Sequence, residues 1–260
     1  MKKIALALLA AATISAPAFA ADMAARPYAK APPAPVPVYS WTGCYIGAGG
    51  GGALTNNDHR TVDSLTGLPS GPFIDASPNE TGGARGWFGT VQAGCDYQFN
   101  NFVVGVFGDY DFMSVKGDIG VFGTNGPREV GSQKQDWQWA VGGRVGYLIF
   151  PQLLTYVSGG YTQGHWKNTN LAQFGGPQDL TLLGGTRGGW FIGTGDEYAL
   201  SFLPGLFWKT EYRYSEFDSK NSAINGLLPF NPPIYSGSSE HERVKEHSVR
   251  SELVWRFNWR

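Results

Sequence analysis

Charged and aromatic side chains alternate along FWKTEYRYSEF, residues 207–217. Lys209, Glu211 and Arg213 share one parity, and Trp208 and Tyr212 belong to the other. Successive side chains of a β-strand point to opposite faces, so this spacing predicts a polar face that can form ion pairs or an ion path. The same parity rule adds eight charged positions from other segments, namely Asp96, Asp109, Asp111, Arg144, Glu197, Arg250, Glu252 and Arg256.

These eleven positions hold six acids and five bases, so their charges nearly balance. A buried network needs such a balance, because an unpaired buried charge costs several kcal/mol. Two interpretations follow. In the first the charges fill a closed interior, and in the second they form a constriction that passes small polar solutes or ions.

Two other patterns resemble enzyme motifs. Gly47–Gly52 matches G-x-G-x-x-G, but no helical pattern follows to hold a dinucleotide, so the glycines predict a tightly curved strand. The segment HERVKEH, residues 241–247, lacks the H-E-x-x-H spacing, and no G-x-S-x-G elbow occurs in the chain. We therefore expect a solvated loop at 241–247, no enzymatic activity, no cofactor and no metal. A lipid-acyl hydrolase based on His247 is the weakest alternative.

The N-terminus predicts export. MKKIALALLAAATISAPAFA carries two lysines, an apolar run and the triplet Ala18-Phe19-Ala20, which indicates a signal peptide over residues 1–20. Residues 21–40 include PYAKAPPAPVPVYS, where prolines prevent a helix or a central strand, so we expect an extended periplasmic linker. A plain tether is the favoured role, with peptidoglycan contact as the alternative. Residues 41–260 then form the exported domain of a Gram-negative envelope protein.

Cys44 and Cys95 are the chain's only cysteines. An exported protein can form disulfides, and both residues fall near the same ends of neighbouring predicted strands. A Cys44–Cys95 bond and two separate wall residues are equally acceptable interpretations. Two cysteines alone do not make a closed zinc site, which takes four ligands.

Composition narrows the class of protein. The formal net charge is -1 and there is no basic tract, so we expect no nucleic-acid partner. Glycine, at 37 of 260 residues, is about twice as frequent as its usual ~7%. Aromatic residues reach 14% while charged residues stay at 16%. After residue 20 no apolar run of about 20 residues occurs, which argues against a transmembrane helix and favours an alternating chain.

Eight segments have a period of two or a glycine-rich aromatic character, at 42–54, 86–99, 102–116, 133–149, 153–166, 188–200, 206–217 and 248–259. Short connections alternate with long polar ones at about 55–85, 117–132, 167–187 and 218–247. This alternation predicts an all-β fold, an eight-stranded antiparallel up-and-down transmembrane β-barrel.

In a barrel, one face of each strand meets the surroundings and the other faces the lumen. Backbone groups in hydrocarbon must all be paired, so a closed barrel has an apolar outside and can hold charges inside. Eight strands enclose a lumen that side chains can fill. The last two strands are neighbours, so Lys209, Glu211 and Arg213 can face the charges of the final strand. Outward tryptophans predict the interfacial girdles, with Trp41, Trp137, Trp208, Trp255 and Trp259 as candidates.

The order of several motifs resembles one known family. WTGCYIGAGGGG, GTVQAGCDYQF, NFVVGVFGDYDF, GGRVGYL, LLTYVSGGYT, GTGDEYAL, WKTEYRYSEF and HSVRSELVWRF resemble, in order, the strands of alphaproteobacterial OmpA-like eight-stranded barrels. These are major surface proteins of rhizobia and brucellae, often labelled porin family proteins. Three features depart from the family pattern: Cys44 and Cys95 replace aromatics, Asp196 takes a lipid-side position, and the chain ends on Trp259-Arg260.

The resemblance implies a location in the outer membrane and a surface-exposed role in envelope integrity. It also implies outer-membrane lipid, lipopolysaccharide and the barrel assembly machinery as partners. A small-solute porin with a narrow charged lumen and a loop-based binding protein or adhesin are the alternative functions.

Overall fold

The computed structural model describes residues 40–122, 128–173, 176, 178–226 and 234–258. The predicted signal peptide and all but the last residue of the predicted linker lie outside these ranges. The described strands are β1 (Gly43–Ser64), β2 (Phe73–Asp75), β3 (Glu80–Phe99), β4 (Phe102–Phe122), β5 (Arg128–Phe150), β6 (Leu153–Trp166), β7 (Thr169–Gln173), β8 (Gln178–Leu182), β9 (Gly185–Ala199), β10 (Leu206–Gly226) and β11 (Ile234–Asn258). In this part of the chain no helix is long and apolar enough to cross a membrane.

Eight strands close into a ring in the order β1, β3, β4, β5, β6, β9, β10 and β11. The last strand pairs with the first in antiparallel register from Gly43 opposite Asn258 to Asp63 opposite Ser238. The prediction of an eight-stranded antiparallel barrel is confirmed. The short β7–β8 hairpin continues the wall beyond β6 and β9, because β7 pairs with β5 and β8 pairs with β10.

The period of two decides which side chains face the lumen. Along β10, Lys209, Glu211 and Arg213 are buried, while Trp208 and Tyr212 between them are exposed. The apolar side of the strand therefore faces outward, toward the surroundings of the barrel, and the charged side faces inward.

One end of the barrel, which we call the turn end, has short connections. Asn100 and Asn101 join β3 to β4, and Pro151 and Gln152 join β5 to β6. Asn100 has a positive φ of 53°, a left-handed conformation that asparagine adopts more readily than most residues. Short turns of this kind lie on the periplasmic side of outer-membrane barrels, so the opposite end, which we call the outer end, is extracellular.

The four long loops expected from sequence are mostly strand, so that prediction was wrong. Strand β1 runs on to Ser64 and β4 to Phe122, and β11 already begins at Ile234. The expectation failed because these extensions lack the apolar outward residues that mark a membrane strand in the sequence. Beyond the apolar band the outward residues are polar, yet β1 stays paired with β11 as far as Asp63 and with β3 as far as His59.

Apolar clusters lie inside both ends of the lumen. The cluster at the turn end includes Trp41, Leu148, Leu154, Phe207 and Val254. The cluster at the outer end consists of Ile119, Val121, Leu171, Leu182 and Ile224. The charged interior residues lie partly among the side chains of the first cluster, where the Arg213 guanidinium is 4.3 Å from the centroid of the Phe191 ring, and partly between the two clusters.

Candidate functional site in the barrel interior

The charged residues nearest the turn end form a ring of four, which we call the lower layer, namely Asp96, Arg144, Glu197 and Arg256. Arg144 donates to Asp96 from Nε at 3.0 Å and to Glu197 from Nη1 at 3.0 Å. Arg256 donates to Asp96 from Nη1 at 2.7 Å and to Glu197 from Nε at 2.9 Å. Each arginine thus joins both carboxylates, and the layer is neutral.

Tyr45 lies between the two arginines of the lower layer. The Arg144 guanidinium is 4.7 Å from the centroid of the Tyr45 ring, and the Arg256 guanidinium is 4.9 Å from it. The four charged residues come from β3, β5, β9 and β11, so the layer ties together strands all around the ring.

A second group, which we call the middle layer, contains the other seven predicted residues, Asp109, Asp111, Lys209, Glu211, Arg213, Arg250 and Glu252. Arg213 of β10 donates to both oxygens of Asp109 on β4, at 3.1 and 2.8 Å. In the ring β10 and β4 are separated by three strands on either side, so this pair crosses the whole lumen. Arg250 reaches Asp111 at 3.0 Å.

Lys209 and the acids around it complete the middle layer. The Lys209 ammonium lies 3.4 Å from Glu252, 3.5 Å from Glu211 and 2.8 Å from the Gln92 carbonyl oxygen. Glu211 also accepts a hydrogen bond from the Tyr156 hydroxyl at 2.8 Å. The structure therefore brings all eleven predicted charges together inside the barrel, and each is buried.

Sequence reasoning missed a further set of polar residues toward the outer end, which we call the upper layer. Arg187 pairs with Glu242, which also accepts from Asn57, and His59 lies 2.8 Å from Glu240. The expected solvated loop at 241–247 is part of β11, and its Glu242 and Glu246 are buried in the lumen. The sequence does contain a pattern that predicts these inward residues, because the inward parity of Arg250 continues through Glu246, Glu242 and Glu240.

The outer wall holds three of the five tryptophans predicted for the interfacial girdles, and the prediction for a fourth, Trp41, was wrong. Trp208 and Trp255 are exposed on the outward face, and Trp137 is half-buried there. Trp41 is not a girdle residue. It is fully buried, its indole donates to the Pro151 carbonyl at 3.2 Å, and its ring lies 4.9 Å from Phe207.

The prediction that Trp41 faces outward was wrong because this residue precedes β1. The alternation of faces does not apply to a residue outside the strand, and the chain here turns across the periplasmic mouth of the barrel. Trp259, the fifth candidate for the girdles, lies outside the described residues.

A disulfide joins Cys44 of β1 to Cys95 of β3. The sequence left open whether these cysteines are bonded or are two separate wall residues, and the structure has the bond. The residues are directly opposite in the strand register, with a Cα–Cα distance of 3.9 Å, and they lie on the outward face near the turn end. Asp196 also faces outward near this end, and it accepts a hydrogen bond from Thr155 at 2.6 Å. Among the described residues, no group of three or more His, Cys, Asp or Glu side chains could hold a metal ion.

Comparison with known proteins identifies relatives over nearly the whole chain. The family model for the outer membrane protein beta-barrel domain matches residues 6–257. The 31 kDa outer-membrane immunogenic protein of Brucella melitensis is 33% identical over 99% of this chain and 100% of that protein. The 25 kDa outer-membrane immunogenic protein of Brucella abortus is 28% identical over 87% of this chain and 89% of that protein.

Among solved structures, the outer membrane protein OprG from Pseudomonas aeruginosa aligns with 83% of this chain and 97% of that chain, at 13% identity and a TM-score of 0.49. The family match and the Brucella relatives agree with the alphaproteobacterial barrel family that the strand motifs resemble. The chain belongs to the family of outer membrane protein β-barrel domains and is a protein of the outer membrane.

Proposed function

We propose that this outer-membrane barrel is a structural, surface-exposed component of the envelope whose lumen is closed. The observation that carries the proposal is the Arg213–Asp109 pair, which crosses the lumen from β10 to β4 with both residues buried. No step of the proposed role needs a catalytic residue or a cofactor.

The energetics of the interior support a closed lumen. A hydrated ion could pass the middle layer only if the Arg213–Asp109 bridge separated. Removing one partner from a buried ion pair costs about 3–5 kcal/mol, because the other charge stays buried and unpaired. The lower layer and the Trp41 indole add two further barriers toward the periplasm. An eight-stranded lumen is also just wide enough for side chains to fill.

A small-solute porin is the second candidate, and one observation favours it. Several buried polar atoms in the described interior have no hydrogen-bond partner within the protein, including Asn57 Oδ1, Gln135 Oε1 and Arg187 Nη1 in the outer half. Buried polar groups normally find partners, and water is the usual one where protein atoms are missing. Water in the outer half of the lumen would shorten the dry part of the path that a solute must cross.

Single-channel recording separates the two candidates. The purified protein is inserted into planar lipid bilayers, and we expect no stable conductance. The Arg213→Ala/Asp109→Ala variant removes the bridge without changing net charge, and we expect it to conduct more than the parent. Stable conductance by the parent protein that Arg144→Ala or Glu211→Ala abolishes would overturn the structural role in favour of a porin.

The relatives and the strand lengths support surface exposure. Both Brucella proteins are described as immunogenic, which requires contact with a host immune system. Strands β10 and β11 extend well past the outward aromatic residues Tyr212 and Tyr214, so they project from the membrane. Outer-membrane lipid, lipopolysaccharide and the barrel assembly machinery are the partners we propose, with peptidoglycan as a further one through residues 21–40. An adhesin would use the projecting strands.

A further inference from the structure

Three cations lie side by side on the outward face of the barrel. Arg85 of β3 is directly opposite Lys116 of β4, and Lys116 is directly opposite Lys134 of β5. Arg85 and Lys116 are exposed and Lys134 is half-buried. We call these three residues the cation row. Adjacent strands are about 4.8 Å apart, so the row is roughly 10 Å wide.

The cation row is electrostatically unfavourable by itself. Like charges directly opposite each other on neighbouring strands repel and destabilise the sheet. Within the described part of the chain, no carboxylate lies within ion-pair distance of any of the three. The nearest acid along β5, Asp136, is already engaged by His165 at 2.5 Å and Lys167 at 3.9 Å. Asp118, two residues beyond Lys116 on the same face, is the one acid beside the row without such a partner.

Outward cations of β1 and β11, on the other side of β3, behave differently, since the following three have a carboxylate partner. Arg60 pairs with Asp75 at 2.7 Å and Lys245 with Asp58 at 3.3 Å. Arg243 pairs with Glu216. The lack of a carboxylate partner therefore distinguishes the cation row from these three cations and from Arg128 of β5, which pairs with Glu80 at 2.8 Å.

The height of the cation row matches the outer boundary of the hydrocarbon. Twelve residues of β3 separate Arg85 from Tyr97, an exposed aromatic residue near the turn end. At about 3.3 Å per residue and a tilt of about 45°, they span about 28 Å along the membrane normal, close to the ~30 Å core. Trp87, two residues below Arg85, is 69% exposed, as an interfacial aromatic residue would be.

Two grooves meet at Arg85. The lower groove, of about 580 Å³, is lined mainly by apolar atoms of Gly52, Ala53, Leu54, Gly86 and Val249, with Tyr212, His247 and Arg85 at its edge. The upper groove, also about 580 Å³, has a mixed polar and apolar lining that includes Arg85, Lys116, Asn56, Asp118 and Ser132. A depression exists below the row because Gly52 faces outward without a side chain.

We propose that the cation row and the two grooves bind one phosphorylated, acylated glycolipid of the outer leaflet, of the lipid A type. Its phosphate contacts Arg85, Lys116 and Lys134, its sugar lies in the upper groove, and an acyl chain occupies the lower groove. The negative charge relieves the repulsion within the row. This site rests on the outer-membrane location alone, and it is independent of whether the lumen conducts.

Binding of fluorescently labelled lipid A to the full-length mature protein in detergent tests the site. The Arg85→Gln/Lys116→Gln/Lys134→Gln variant should bind on the order of 100-fold more weakly, since each cation near an anionic lipid surface contributes roughly fivefold. The Arg60→Gln/Arg243→Gln/Lys245→Gln variant has the same change in net charge on β1 and β11, outside the cation row, and it should bind within about threefold of the parent.

A matched pair of glycine variants tests the lower groove. Gly52→Leu fills the lower groove, where an added Cβ would meet only the Gly86 carbonyl at 3.7 Å, and it should weaken binding of lipid A. Gly89→Leu adds the same side chain to another wall glycine, whose Cβ would meet only the Gly49 carbonyl at 3.9 Å, and it should not. If the triple variant fails to fold, Lys116→Gln alone replaces it, with about a fivefold loss expected.

Three results would overturn the site. Equal losses in the two triple variants would mean that only net charge matters. Unchanged binding of dephosphorylated lipid A would remove the role of the cation row. Competition by a soluble phosphorylated disaccharide as effective as that by lipid A would assign the row to a soluble anion instead of a lipid.

Discussion

Replacing Arg213 with methionine tests whether the interior is dry and packed. The Arg213 guanidinium donates to Asp109 at 3.1 and 2.8 Å and to Glu211 at 2.9 Å, and the residue is fully buried. Methionine keeps an unbranched apolar stem without the guanidinium, so it leaves Asp109 without this partner. Loss of one member of a buried pair costs about 3–5 kcal/mol, so we expect the free energy of unfolding to fall by that amount.

A double-mutant cycle isolates the pair. Asp109→Asn alone should also destabilise the barrel, and the Arg213→Met/Asp109→Asn variant should be more stable than the sum of the single losses predicts, by about 2 kcal/mol. Glu211 keeps Lys209 at 3.5 Å and the Tyr156 hydroxyl at 2.8 Å, so the cycle reports mainly on Arg213 and Asp109.

Urea unfolding of the barrel in lipid vesicles, followed by tryptophan fluorescence, measures these free energies. Arg243→Met is the matched control, because Arg243 is an ion-paired arginine whose side chain is 55% exposed, and we expect a change within about 1 kcal/mol. If Arg213→Met changed stability as little as Arg243→Met does, the lumen charges would be solvated. That result would refute the packed interior and favour the porin.

Three further outcomes are expected. Reduction of the Cys44–Cys95 disulfide, which closes a 51-residue separation, should lower stability by up to about 4 kcal/mol in the chain-entropy model, and a Cys44→Ser/Cys95→Ser variant should not respond to reductant. Trp41→Ala should cost about 3–5 kcal/mol in the same urea assay because Trp41 is fully buried, whereas Trp208→Ala on the lipid face should cost less. Backbone amides of residues 240–246 should exchange slowly with deuterium, since they are paired in β11, and fast exchange would restore the loop interpretation.

The faces of the strands could be predicted from sequence, and the ion pairs that cross the ring could not. Parity alone placed Lys209, Glu211 and Arg213 on the inward face, because the side-chain period of a strand is two. It also brought β10 beside β11, where Lys209 is opposite Glu252 and Glu211 is opposite Arg250. Arg213 instead pairs with Asp109, 104 residues away, across the ring. That choice depends on strand tilt and ring closure, which a local pattern does not contain.

Two errors in the sequence-based predictions have physical causes. The outer extensions were taken for loops because their outward residues meet water, so apolar and polar residues no longer alternate although the inward parity persists through Glu246 and Glu242. Trp41 was assigned to the wall because tryptophan favours membrane interfaces. Trp41 precedes β1 and is therefore not part of the wall, and its indole reaches the Pro151 turn at the mouth of the barrel.

The charged interior also explains how one register is selected. Buried ion pairs add little net stability compared with apolar packing, so stability alone does not account for eleven lumen charges. A barrel with an apolar interior would have two apolar faces, and a one-residue slip of a strand would then be nearly neutral. With Lys209, Glu211 and Arg213 on the inward face, the same slip of β10 would place three charges in hydrocarbon. A lipid-facing Arg or Lys costs about 2–4 kcal/mol at the bilayer midplane, and the slip would also take Arg213 away from Asp109. The lumen charges therefore act mainly on specificity, by making a misregistered strand that carries them, such as β10, expensive to insert.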